Sequence, residues 1–95
     1  ELKVDGGMTH DDLVMQFQAD PCGVDVVRPK VIETTALGAA YAAGMAVGYW
    51  SGKAEVLRNW EIDRSFTPNI PAEERAQHIK GWNRALQCAC HWAKE

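Results

Sequence analysis

Leu2 and Val4 alternate with Glu1, Lys3 and Asp5, the period-two pattern of a short strand over Leu2–Asp5. Asp5-Gly6-Gly7 follows as a tight turn, where glycine supplies positive φ at little steric cost. The spacing then becomes helical. Thr9 and Asp12 make a capping-box-like start, and Leu13 and Phe17, with Val14 and Met15 alongside, form a partly apolar face. Pro21 and Gly23 are expected to stop this helix. Val24-Asp25-Val26-Val27-Arg28 reads as a second strand ended by Pro29. Strand, helix and strand joined this closely form a βαβ unit, so the two strands should run parallel.

The second half of the chain is patterned differently. From about Thr35 to Tyr49 runs a helix built mostly of Ala and Gly, with Leu37, Tyr41, Met45 and Val47 as its larger side chains. Glycine inside a helix costs about 1 kcal/mol relative to alanine, so Gly38, Gly44 and Gly48 call for close packing against the sheet or another helix. Ser51 to Trp60 reads as a partly helical connector, and Glu61 to Phe66 as extended. Pro71, Glu73 and Glu74 suit the first turn of a final helix. In that helix Ile79, Trp82, Leu86, Ala89 and Trp92 recur at helical spacing, a stripe expected to be core. The architecture predicted is α/β: βαβα, then an extended segment and a long C-terminal helix.

Composition narrows the function classes. Ninety-five residues make at most one domain. A net charge of −3 without any basic run argues against nucleic acid and anionic membranes as partners. The apolar stretch from Ala36 to Trp50 is too short to span a bilayer, no signal-peptide pattern is present, and a cytoplasmic protein is expected. The chain lacks an initiator Met and opens directly on strand residues, which is expected of a piece of a larger protein. Cys22, Cys88 and Cys90 are too few for a disulfide framework. Cys88, Cys90 and His91 invite a metal reading, but a tetrahedral site needs four converging ligands and no second pair exists. Reduced thiols are the simpler reading.

The candidate site is Asp5-Gly6-Gly7-Met8-Thr9-His10-Asp11-Asp12. Gly6 and Gly7 fall at the carboxyl end of the first strand, the edge where open α/β sheets bind ligands. A glycine pair there lets backbone N–H groups approach a nucleotide. It equally makes a generic tight connection, and spacing alone favours that structural reading, since no P-loop or Gly-x-Gly-x-x-Gly is present. His10 has no nucleophile to serve. Asp11 and Asp12 diverge by about 100° on a helix and make no acid/base pair. No catalytic group and no metal ligand emerges from the residues themselves.

As strings, the residues are more specific. Val4-Asp5-Gly6-Gly7-Met8, Met15-Gln16-Phe17-Gln18-Ala19-Asp20, Arg28-Pro29, Glu33 to Gly44, Ala46-Val47-Gly48-Tyr49-Trp50, Phe66-Thr67-Pro68 and Gly81-Trp82 resemble the glycerol kinases over essentially the whole chain. The resemblance implies part of a ribonuclease-H-like domain of the actin-like ATPase superfamily. Residues 1–95 would be the end of the C-terminal nucleotide-binding domain. The activity implied is transfer of the γ-phosphoryl of ATP to glycerol, with Mg²⁺, in a cytoplasmic homo-oligomer, the catalytic residues lying outside this chain. Gly7 corresponds to a nucleotide contact of the family, with Gly6 beside it. Asp11 stands where family members carry Asn, replacing an amide that donates by a carboxylate that only accepts. Alternatives are another polyol or pentulose kinase, a non-catalytic actin-like interaction module, or a metal or redox module on Cys88, Cys90 and His91.

Overall fold

The structure, a computed structural model, describes residues 1–93. It contains β1 (Leu2–Lys3), a 3₁₀ turn (Gly7–His10), α1 (Asp12–Cys22), β2 (Val26–Pro29), α2 (Thr34–Ala46), α3 (Lys53–Leu57), β3 (Ile62–Phe66) and α4 (Ala72–Ala89). The sheet has the order β1-β2-β3. β1 pairs parallel to β2, with Leu2 opposite Val26 and Lys3 opposite Val27, as the βαβ pattern requires. The extended segment joins the other edge of β2 antiparallel, so the sheet is mixed. The central strand ends at Pro29, as expected, but includes that residue in its pairing. The register shifts between Arg28 and Pro29, and such a bulge accommodates a residue with no N–H to give the ladder.

α1 packs on the sheet through Met15 and Ala19, one helical turn apart, which close a small core with Val26 and Phe66 against Val4. The apolar face is therefore not the Leu13–Phe17 one, since those side chains stay largely exposed. The helix begins at Asp12, its cap is Asp11, and Pro21 lies within its last turn. Thr9 is buried in the preceding 3₁₀ turn instead of capping the helix. Gly23, at φ 65°, ends it in the left-handed conformation that glycine favours.

α2 and α4 depart most from expectation. α2 buries no residue, and its glycines do not serve contact with the sheet. A Cβ on Gly44 would lie 2.3 Å from the indole of Trp50, which folds back over the helix and meets Tyr41 edge-on at 5.1 Å. Gly44 is thus required by the chain that immediately follows its own helix. The stripe on α4 is not core either. Trp82 is 65% exposed and Trp92, beyond the helix end, 85%. α4 reaches the rest of the molecule near its start, where His78 packs edge-on against Phe17 at 5.4 Å. The periodicity was amphipathic, but the stripe only borders an open concavity against α1, and Ile79, Trp82 and Leu86 stay exposed.

The radius of gyration is 18.2 Å, against about 13 Å for a compact chain of this size. Large apolar side chains face solvent on α1 and α4 and just beyond α2, at Val47 and Tyr49. The 95-residue chain on its own should bind a hydrophobic dye and melt broadly, below about 45 °C, the lower edge for ordinary domains. Calorimetry with dye fluorescence checks this, and a sharp monomer transition above that temperature would contradict it.

Candidate functional site

The loop between β1 and α1 is held from three sides. Gly6, at φ 93° and ψ 169°, occupies a region open essentially to glycine alone. Its N–H donates to the Ile32 carbonyl at 2.8 Å. Its own carbonyl accepts from Thr9 Oγ1 at 2.6 Å and from Thr9 N–H at 3.1 Å. The Asp5 carboxylate accepts from Thr34 Oγ1, which ties the start of the loop to the first turn of α2. A hollow of about 250 Å³ lies against this join, lined by Lys3, Val4, Asp5, Pro29, Thr34 and Trp60.

The third side is an ion-pair network. Arg28 Nη1 donates to the Thr9 carbonyl at 2.8 Å and to Asp12 Oδ1 at 2.7 Å, while its Nε donates to Asp63 Oδ2 at 2.9 Å. Arg64 Nη1 donates to the other oxygen of Asp12 at 2.8 Å. Both cations also lie over the Phe66 ring, the Arg28 guanidinium 5.2 Å and that of Arg64 4.7 Å from its centre. Hydrogen bonding to Arg28, with the charges of Arg28 and Arg64, holds the Asp12 carboxyl below its ordinary pKa, partly offset by desolvation. This tether is complete above the ordinary carboxylate range and is lost as pH falls through the depressed value.

Gly6, Gly7 and Asp11 meet on this one loop, at the carboxyl end of β1, but differ in what they do there. Gly6 is explained by its φ. Gly7 has no such need: its φ is not in the left-handed region, and a Cβ on it would meet nothing within 4 Å. Among the described residues its N–H makes no hydrogen bond, and the residue is exposed. Asp11 uses Oδ1 to accept from Leu13 N–H at 3.0 Å and Val14 N–H at 3.3 Å, which caps α1. An asparagine would cap about as well and would present an amide where Asp11 presents its second oxygen. His10 is exposed.

Among the described residues no group of three or more His, Cys, Asp or Glu is placed to hold a metal ion, and Cys88 and Cys90 are exposed thiols. No described helix is long and apolar enough to cross a membrane. The larger concavity, about 710 Å³ between α1 and α4, is lined mainly by apolar groups such as Phe17, Pro21, Ile79 and Trp82. The loop is the stronger site, because it alone combines a restrained backbone with an unshielded donor.

Residues 1–47 match the family model described as the C-terminal domain of the FGGY family of carbohydrate kinases. The whole chain is 55% identical to a glycerol kinase of Burkholderia ambifaria, covering 19% of that protein. It is 58% identical over 93 residues to one from Paraburkholderia phytofirmans, covering 98% of this chain and 19% of that protein. The chain belongs to the FGGY family of carbohydrate kinases. Its structure superposes on the crystal structure of Plasmodium falciparum glycerol kinase with ADP at a TM-score of 0.68 and 30% identity, covering 97% of this chain and 18% of that one. The chain thus spans about a fifth of the length of the curated relatives it matches. The FGGY match takes in β1, the loop, α1, β2 and α2, and so includes Gly6, Gly7 and Asp11.

Sequence reasoning overlooked the Arg28 network. Its signal was an arginine directly after two valines in a strand, since a charge in a buried strand must be paired.

The two glycines should separate by stability in the intact protein. Gly6→Ala forces a side chain into a glycine-only conformation and should cost about 1–3 kcal/mol. Gly7→Ala should stay within about 0.5 kcal/mol of wild type. Denaturant midpoints measure both, and equal losses would make Gly7 structural too.

Proposed function

We propose that this chain is the end of the C-terminal, nucleotide-binding domain of a glycerol kinase, with the ribonuclease-H-like topology of the actin-like ATPases. The reaction is transfer of the γ-phosphoryl of ATP to a terminal hydroxyl of glycerol, giving glycerol 3-phosphate. The observation that carries the reading is Gly7. It is an exposed glycine without a conformational or steric requirement, on a braced loop at the ligand-binding edge of the sheet, in a chain 55% identical to glycerol kinases.

In this reading the chain serves the adenosine side of ATP. The loop fits that role because a backbone N–H with no side chain in front of it can approach a flat base or a ribose closely. Asp11 lies four residues further on, its cap leaving a second, negatively charged carboxylate oxygen where an asparagine would offer the nucleotide an amide donor. ATP supplies the transferable phosphoryl group, and Mg²⁺ neutralises its charge. Among the described residues no cluster suits Mg²⁺, and in this reading the ion would be held by phosphate oxygens and by residues elsewhere in the enzyme. The groups that hold glycerol and the base for its hydroxyl likewise belong to other parts of the enzyme, and the fragment alone has no kinase activity.

ATP-dependent phosphorylation of glycerol, xylulose and erythritol by the intact protein tests the substrate, with glycerol expected to be turned over and the others not. Turnover of xylulose or erythritol in its place would assign a different kinase of the same family. Asp11→Asn keeps the cap and removes a negative charge near the nucleotide, so the KM for ATP should fall several-fold while that for glycerol stays put. An unchanged KM for ATP would remove Asp11 from the nucleotide site.

A further inference from the structure

We propose that Arg28 is a positioning residue for the nucleotide: its guanidinium holds the Gly6–Asp12 loop in the shape that presents the Gly7 N–H. This rests on the assignment of the loop as the nucleotide contact.

Arg28 projects from the central strand with only 11% of its side chain exposed. Its three hydrogen bonds divide between two bodies. Asp63, on the neighbouring strand β3, takes Nε, while the Thr9 carbonyl and Asp12, on the loop side, share Nη1. One rigid, planar group therefore references the loop to the sheet. The Thr9 bond matters most for position, because Thr9 also donates twice to the Gly6 carbonyl. A shift of the Thr9 peptide is thereby passed to the residue immediately before Gly7. Asp12 fixes the first turn of α1, directly after the Asp11 cap.

Lysine cannot replace this arrangement. Its donors radiate from one nitrogen, whereas Arg28 uses nitrogens at different places on a fork to reach partners on opposite sides. A lysine would keep the positive charge and most of the burial but hold only one side. The loop would then stay folded, through Gly6 to Ile32 and Asp5 to Thr34, with its register to the sheet loosened. Misplacement of a binding group by about 1 Å is enough to weaken its contact greatly.

Steady-state kinetics of the intact protein, varying ATP and glycerol in turn, provide the test. Arg28→Lys should raise the KM for ATP about tenfold, with kcat and the KM for glycerol within about twofold of wild type. A role confined to stability would lower the amount of active enzyme and the melting temperature and leave the KM for ATP alone, which would overturn the proposal. Asp12→Asn, which keeps Arg28 in place, should raise the KM for ATP in the same direction but less, and no change in both variants would also overturn it. Gly7→Val separates the two levels of the argument. If it raises the KM for ATP while Arg28→Lys does not, the positioning role fails and the loop assignment stands. If it leaves the KM for ATP unchanged, the loop assignment fails and the positioning role with it.

Discussion

One cation organises the loop edge of this chain. The Arg28 guanidinium projects from the central strand and has partners at 2.7–2.9 Å on β3, on the glycine loop and on the first turn of α1. An arginine in a strand that is otherwise Val26, Val27 and Pro29 is tolerable only because its donors are taken by carboxylates and a backbone carbonyl. The acids remain about half exposed, which limits the desolvation of the pairs while the cation itself is held firmly. Loop geometry thus depends on side chains from both flanking strands, and neither strand could set it alone.

Around that centre the structure divides into a well-packed part and an open part. Met15, Ala19, Val26 and Phe66 close a small core under α1, which gives the loop a firm base. α2 and α4 bury nothing. The division follows from the small size of the sheet: its core is closed by Met15 and Ala19 of α1, and no residue of α2 or α4 is buried. The helices keep their shape through local means, Trp50 folding back on Gly44 in α2 and acidic residues in the first turn of α4.

The placement of function follows the same division. The restrained loop carries the candidate nucleotide contact, and the glycine within it that has no structural duty is the one whose backbone is open to a ligand. Gly6 and Gly7 look identical in the sequence and are opposite in role: one is demanded by a backbone angle of 93°, the other by nothing inside the chain. Asp11 has both a structural and a candidate binding duty, which a carboxylate or an amide fulfils equally in the first case and differently in the second.

The order and type of the elements and the parallel pairing of β1 and β2 were legible in the sequence, because period, turn residues and strand–helix–strand spacing are local or follow from chain handedness. Family membership was legible for a different reason: strings of identical side chains persist along the whole chain. Tertiary structure alone decided which face of α1 is buried, that β3 pairs antiparallel with a central strand that includes Pro29, and that the α4 stripe is left largely exposed. Each of these depends on what lies opposite in space. An amphipathic period says that a face wants a partner, and only the fold shows whether one is there. The bonds that Arg28 makes to Thr9, Asp12 and Asp63 cross 16 to 35 residues of sequence, beyond the reach of any local pattern.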